Sequence, residues 1–525
     1  MNPELSDLQR VRFDKAEEIR SRGKLPYPAR TNRTHSTHDA ILALETSEAD
    51  SSEPADISRF TVGGRITSIR DMGKTAFAHL EDGSGQIQLY VRKDVLGESE
   101  FEDFLRLVDL GDIIEATGAP FRTRTGEASL KIVTFSIVSK ALNAPPEKWH
   151  GLQDVELRYR QRYADLIANS DVRDVFLSRS KMITAIRQYL DGLGYVEVET
   201  PVLQPLYGGA AARPFTTFHN ALDQMFYLRI ADELYLKRLI VGGFERVYEI
   251  CKDFRNEGVD RNHSPEFTML EFYEAFADYT VMMDRVQGLV TAAAIGAIGS
   301  PTFTNRSRTI DLLRPWDRRT LREAIESFSG IDYSEFPDAG SLLDAGRKAG
   351  ADIESGTVWP RIIDELLKQF VRPNLVNPTF LIDYPVELSP LAKRKPDDPT
   401  HAERFQLYIA GAELANAFSE LNDPVDQLQR FIEQQRDRDA GDDEAMPVDH
   451  DYVNALMYGM PPTGGVGIGI DRLAMVFTDQ PSIRDVVLFP AMRRLEKPLC
   501  ERSEDDQEQL SSPEMPTGQT TETMI

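Results

Sequence analysis

The chain has 525 residues, 41% hydrophobic and 28% charged, the proportions of a globular protein of about two to four domains and not of a disordered or fibrous chain. Sixty basic against 85 acidic residues give a formal net charge of −25, which argues against indiscriminate binding to DNA or anionic membranes and leaves room only for a local basic face. Two cysteines, Cys251 and Cys500, cannot build a disulfide framework or a structural zinc site. The apolar run from Leu289 to Gly299 falls short of the roughly 18 residues that a membrane span needs. The charged N-terminal stretch has no apolar core of a secretory signal, so the expected setting is the cytoplasm, with no membrane.

In chain order, LSDLQRVRFDKAEEIRSRG reads as a charged helix stopped by Gly23, Pro26 and Pro28, since glycine and then proline end helices. The acidic stretch 45–56 reads as a solvated loop, and together these make an N-terminal region 1–59. Residues 60–142 hold five short alternating runs with a helix, SEFEDFLRLV, between the third and fourth. That pattern predicts a small closed barrel of the OB type, a fold suited to single-stranded nucleic acid or oligosaccharide. Residues 143–154, with Pro145 and Pro146, read as a linker, 155–500 as a second domain and 501–525 as a disordered acidic tail; 440–445 reads as a surface loop.

In the second domain the helix-patterned run LSRSKMITAIRQYLDGLGY leads into VEVETPVL, a strand with Pro201 near its end. Strands and helices then follow without regular βαβ alternation, which predicts an α+β domain on an antiparallel sheet flanked by helices. Residues 280–380 read as mostly helical elaboration.

Three runs concentrate polar chemistry. In YEICKDFRNEGVDRNHSPEFTMLEFYEAF (248–276) a hairpin with a long tip, with Glu257 opposite Phe267, places Arg255, Glu257, Phe267, Glu271 and Tyr273 on one face. A solvated ion pair is the alternative reading of Arg255 with Glu257. In RFQLYIAGAELANAFSELNDP (404–424) a hairpin turning at Ala410 and Gly411 puts Asn416, Phe418 and Glu420 on one face, and Glu413 joins them only if a bulge near Ala415 restores its parity. In PTGGVGIGIDRLAMVF (462–477) alternate glycines leave a strand bare on one side before Asp471 and Arg472 open a helix, so something flat can approach the backbone.

Taken together, these runs resemble the class II aminoacyl-tRNA synthetases, and within them the lysyl-tRNA synthetases. GLGYVEVETPVL is similar to motif 1, FRNEG with HSPEF to motif 2 and GVGIGIDRLAM to motif 3; YGGAAARPF, LRIADELYLKRLIVGGFERVYEI and PVELSPLAK are similar to lysine-specific stretches. The resemblance implies an OB-type anticodon-binding barrel followed by a class II catalytic domain. It also implies ATP as co-substrate, Mg2+ as cofactor, L-lysine and tRNA(Lys) as substrates, and a homodimer formed through the helix from Ser178 and the strand ending at Pro201.

The roles it implies are specific. Arg255 would clamp the ATP α-phosphate, Glu257 accept the adenine amino group, Phe267 and Arg472 sandwich the adenine, and His263 reach the terminal phosphates. Arg255 and Arg472 are thus the catalytic pair. Glu233 and Glu420 would meet the two amino groups of lysine, with Gly209, Glu271, Tyr273, Asn416 and Phe418 lining the pocket. For Glu233, a salt bridge to Lys237 one helical turn later is the alternative. Glu413 belongs to the ATP and metal site; its usual glutamate partner is here Gln406, whose amide offers a neutral oxygen where a dication favours a charged one. Ser264 stands where relatives commonly have asparagine. In the barrel, Phe77, Gln88 and Glu127 fall where the family reads the anticodon; without the resemblance Phe77 reads as barrel core and Gln88 as an exposed strand residue.

Two other functions compete. One is lysine transfer to elongation factor P, whose synthetase-like enzymes lack the N-terminal barrel. The other is a catalytically silent RNA-binding module, which Gln406 keeps open and which the retained Arg255, Glu257, Glu413 and Arg472 oppose.

Overall fold

The computed structural model describes residues 5–49, 59–146, 152–441 and 444–495. Most of the acidic stretch, the middle of the linker, two residues of the 440–445 loop and the whole tail lie outside the described residues. The chain divides into two units, Met1–Leu152 and Gln153–Ile525.

In the first unit, strands Phe60–Asp71, Thr75–Glu81, Gln86–Arg92, Ile113–Arg122 and Ala128–Ser139 close into a barrel. Period-two alternation fills it: Ala76, Ala78 and Leu80 point inward and are fully buried, and Phe101 and Phe104 of the intervening helix Glu98–Leu107 join the same core. The N-terminal helix Asp7–Ser21 starts at a capping box of Ser6 and Gln9. Its Ile19 packs on the barrel core, while buried Arg12 donates to the carbonyls of Leu110, Ala141 and Asn143. A second helix, Thr37–Ala49, corrects the sequence reading, because residues 45–49 are helical and not loop. Ala40 and Leu44 bury its inner side, and Glu48 is engaged by Arg122 at 2.8 Å, so part of the acidity read as solvated lies in an ion pair.

The second unit is built on an eight-stranded sheet in the spatial order Asp317–Thr320, Thr379–Pro385, His401–Ile409, Ala412–Ser419, Thr463–Gly469, Glu266–Ala275, Arg246–Phe254, Val196–Glu197. Its six inner strands pair antiparallel and the two outermost pair parallel with their neighbours. Motif 1 gives less strand than its sequence promised: only Val196–Glu197 and Leu203–Gln204 pair, with Pro201 in the gap between them.

Parity divides this sheet into a greasy face and a wet one. Leu270, Phe272, Phe405, Leu407, Ala415, Ala417, Val466 and Ile468 form one core with helices Ser170–Gly192, Tyr279–Ile298 and Ile470–Phe477. The helix Tyr279–Ile298 is longer than the apolar run within it and, by length and composition, long and apolar enough to cross a membrane. Eight of its residues, Met282 to Ala297, are buried in this core. Its small residues permit close packing: a Cβ on Gly296 would stand 2.4 Å from that of Ala185. Helices Leu321–Ser329, Ala339–Lys348 and Trp359–Leu366 enclose a separate small core around Leu342 and Ile363.

Candidate active site

The wet face carries a cavity of about 360 Å³. Its first wall is the hairpin Arg246–Phe254 with Glu266–Ala275. Asp253, not Glu257, stands opposite Phe267. The strands end earlier than the sequence indicated because the tip, residues 255–265, folds on itself: Arg255 N donates to Pro265 O at 2.9 Å, and the Asp260 carboxylate accepts from the backbone of Asn262 and His263 and from His263 Nδ1. The register differs by four residues, an even number, so Arg255, Phe267, Glu271 and Tyr273 still line the cavity together, with Glu257 on the loop above.

The second wall is the hairpin His401–Ile409 with Ala412–Ser419, joined by Ala410 and Gly411 at φ +56° and +77°, the pair of left-handed residues that a tight two-residue turn requires. Its register slips between Leu407 and Tyr408, which face Ala415 and Glu413, so Leu414 is the extra residue. That bulge brings Glu413 into the cavity beside Asn416, Phe418 and Glu420. The floor is the bare strand Thr463–Gly469, where a Cβ on Gly465 would lie 2.1 Å from Glu420 Oε1.

At the buried end, Glu233, Glu271, Tyr273 and Glu420 are enclosed, and Gly209, at φ +89°, turns against Glu233. Lys237, fully buried, reaches Glu233 Oε1 at 2.6 Å and makes a still closer pair with Glu420 Oε2. The helix-spacing alternative for Glu233 is therefore realised, and extended to Glu420. Burial would lower the lysine's pKa, but the carboxylates it bridges raise it well above normal. Burial pushes Glu233 up against the pull of Lys237, and pushes Glu420 up to about 8 against the same pull. The trio sets two carboxyl groups against one ammonium, and among the described residues Glu420 Oε1 has no hydrogen-bond partner. Glu271, raised by burial and by Asp232, accepts from Tyr273 Oη at 2.9 Å.

The other end is open. The Arg255 guanidinium lies 5.0 Å from the centre of the Phe267 ring and donates weakly to Ile230 O. Arg472 Nη2 donates to His263 Nε2 at 3.1 Å and its Nη1 to Glu413 O at 3.3 Å. Buried Asp471 anchors the helix start beside Arg472, taking Thr268 N at 2.7 Å and Arg179 Nη2 at 2.7 Å.

On the barrel, Phe77 points away from the core and stacks on Tyr90, centroids 5.1 Å apart, and Tyr90 meets Phe121 at 5.5 Å. The core reading of Phe77 thus fails. Gln88 is buried, not exposed: Nε2 donates to Glu127 Oε2 at 2.6 Å and Oε1 accepts from Ser129. Glu127 also meets His79 at 2.8 Å.

Comparison with known proteins matches residues 154–493 to the tRNA synthetases class II (D, K and N) and residues 60–138 to the OB-fold nucleic acid binding domain. The chain is 53% identical over 491 residues to the lysine–tRNA ligase of Roseiflexus sp. (strain RS-1), covering 93% of this chain and 99% of that one. It is 49% identical over 491 residues to the lysine–tRNA ligase of Bacillus subtilis (strain 168), covering 94% and 98%. The chain belongs to the class II aminoacyl-tRNA synthetases, among the lysine–tRNA ligases. The OB barrel and the antiparallel-rich class II domain read from sequence are those of this family.

For this synthetase the metal assignment needs correction. Gln406 does not line the cavity; it is buried, and its Oε1 accepts from the hydroxyls of Tyr384 and Tyr408, both at 2.7 Å. Two donors occupy both lone pairs of an amide oxygen. Its neighbour Glu413 faces Arg372 Nη2 at 3.3 Å, so a guanidinium already offsets the one carboxylate of the pair. Gln406 and Glu413 do not fit a divalent cation held between them. Sequence reasoning also missed Arg404, whose Nε donates to Asn416 Oδ1 at 3.0 Å inside the cavity. Strand parity could have found it, since Arg404 stands opposite Phe418.

Proposed function

We propose that the chain activates L-lysine with ATP and transfers it to the 3′ end of tRNA(Lys) for protein synthesis. The observation that carries the reading is the Glu233–Lys237–Glu420 trio, buried at the closed end of the cavity, where two carboxyl groups share one ammonium. A substrate ammonium entering there meets Glu420 Oε1, which has no partner among the described residues, and takes the place of the proton that Glu420 holds in the empty pocket. A pocket for an acidic amino acid would need the opposite balance.

Arg255 then faces the α-phosphate, with Glu257 and the Phe267 ring taking adenine, Arg472 closing over it and His263 reaching the outer phosphates. The lysine carboxylate, already ionised, attacks the α-phosphorus and pyrophosphate leaves, so no general base is needed. A terminal ribose hydroxyl of tRNA next attacks the carbonyl of lysyl-adenylate, forming the ester and releasing AMP. Arg255 steadies the charge building on the α-phosphate by a forked contact. Members of this family use ATP and generally a divalent metal; on our reading magnesium enters as the counterion of ATP.

The Phe77, Tyr90 and Phe121 surface, with Glu127 held nearby by buried Gln88, suits splayed anticodon bases. Exposed Leu177, Val196, Val202 and Leu203 around motif 1 support a homodimer there, and the cytoplasm is the proposed setting. Pyrophosphate exchange with each of the twenty amino acids, followed by charging of tRNA and of elongation factor P, tests the reading. Exchange with lysine alone and charging of tRNA are expected; exchange with none, or transfer only to the protein, would overturn it. Sedimentation of an active monomer would remove the dimer.

A further inference from the structure

Beside the cavity, on the same face of the first hairpin as Phe267 and Glu271, four carboxylates gather: Asp232, Glu249, Asp253 and Glu271, all buried. Glu249 is fully engaged, its Oε1 by Arg229 at 2.7 Å and its Oε2 by Thr200 N and Oγ1. Asp253 Oδ1 takes the Cys251 thiol at 3.7 Å and faces Arg229 Nε at 3.4 Å, but its Oδ2 has no partner among the described residues. Among the described residues no donor reaches either oxygen of fully buried Asp232, which faces the carboxyl group of Glu271, although Asp232 stands at the N-cap of Glu233–Val241, where such a side chain commonly caps the helix. Oxygens of Asp232, Asp253 and Glu271 lie within 4.8 Å of one another. Among the described residues, the cations that face the cluster are Arg229 and, from the open side, Arg255. Two carboxylates therefore remain without a counter-charge, an arrangement that costs heavily in a dry interior.

We propose that Asp232, Asp253 and Glu271 form a binding site for one hard divalent cation, Mg2+ or Mn2+, distinct from the Gln406–Glu413 pair. Three converging carboxylate oxygens are a donor set for such ions, which bind oxygen at about 2.1 Å and keep water in the remaining positions. Opposite ligands at that distance stand about 4.2 Å apart, so oxygens within 4.8 Å of one another need to draw together by no more than about 0.6 Å to share one ion. The three donors are all oxygen, which disfavours zinc, and burial, followed by the surrounding carboxylates, raises the pKa of the neighbouring Cys251 thiol and keeps it protonated. One dication supplies the two missing charges. Because Glu271 also lines the cavity, the ion would fix its carboxylate and cancel negative charge beside the amino-acid pocket, leaving the ammonium to Glu233 and Glu420.

The test is Mn2+ binding to the full chain without ATP or lysine, followed by the EPR signal of free Mn2+, for wild type, Asp232→Asn/Asp253→Asn and Glu413→Gln. Wild type and Glu413→Gln should each hold one Mn2+ per chain that Mg2+ displaces, and the double variant should bind it at least 100-fold more weakly. Anomalous scattering from Mn2+-soaked wild-type crystals, which needs no variant to fold, should place the ion among the three carboxylates. No Mn2+ bound to wild type, unchanged binding in the double variant, loss confined to Glu413→Gln, or an anomalous peak elsewhere would each overturn the site. A wild-type chain that binds no Mn2+ and shows the infrared C=O band of protonated carboxyls would reveal protons as the neutralising charge.

Discussion

At the closed end of the cavity Lys237 is wholly enclosed between Glu233 and Glu420, whereas at the open end Arg255, His263 and Arg472 reach solvent and lean on one another and on Phe267. Charge at the closed end acts at low dielectric, where an unbalanced ion is expensive and a matching one is strongly selected. Charge at the open end is screened and rearranges cheaply, which suits phosphates that must enter and leave. The contrast teaches that one cavity separates its tasks by burial: discrimination where water is absent, handling of the nucleotide where it is present.

The most severe way to break that contrast is Lys237→Met, which keeps the length of the side chain and strands two buried carboxylates. Removing one partner of a buried pair costs about 3–5 kcal/mol, so the melting temperature should drop sharply; an unchanged value would mean that the trio is not balanced by Lys237.

Glu420→Gln comes next. It preserves shape and removes the negative charge, and losing one partner of a desolvated charge pair costs about 2–5 kcal/mol, roughly 30- to 4,000-fold in binding. Lysine-dependent pyrophosphate exchange should need that much more lysine, with the ATP requirement nearly unchanged. The same carboxylate gives a pH signature. In the empty pocket its pKa is lifted from 4.5 to about 8, so at pH 6 the folded protein holds a proton that ammonium binding must expel. The lysine requirement of the wild type should therefore fall as pH rises from 6 towards 8, and the slope should vanish in Glu420→Gln. The sign for folding is the reverse: the folded chain binds this proton more tightly than the unfolded one, so its contribution to stability is lost as pH rises from 4.5 to 8.

Phe77→Ala sharpens the contrast from outside the cavity. One base stack is worth about 1–3 kcal/mol, so tRNA charging should weaken by that amount while pyrophosphate exchange stays near wild type; an equal fall in both would make Phe77 a folding residue. Smallest of all, raising KCl from 50 to 300 mM should raise the ATP requirement by roughly two- to fivefold and leave the lysine requirement almost unmoved, because only the open end is exposed to a screening length of about 10 Å or less. Equal salt sensitivity at both ends would erase the distinction.

By itself the sequence determined the barrel, the antiparallel sheet and the three runs that supply the cavity, because period-two alternation and glycine spacing are local properties of strands. The parity of Arg255, Phe267, Glu271 and Tyr273 survived a wrong register only because the error was an even number of residues. The i, i+4 spacing exposed Lys237 as a partner of Glu233, but no spacing connects it to Glu420, 183 positions later. Tertiary structure alone decided that contact, the bulge at Leu414 that carries Glu413 inward, and the turn of Gln406 away from the cavity toward two tyrosines. It alone also brought Asp232 against Asp253 and Glu271. The physical reason is common to all four: a buried polar group takes its partner from whatever the packed chain sets beside it, and that neighbour lies on another strand or helix, at a distance along the sequence that no local pattern encodes.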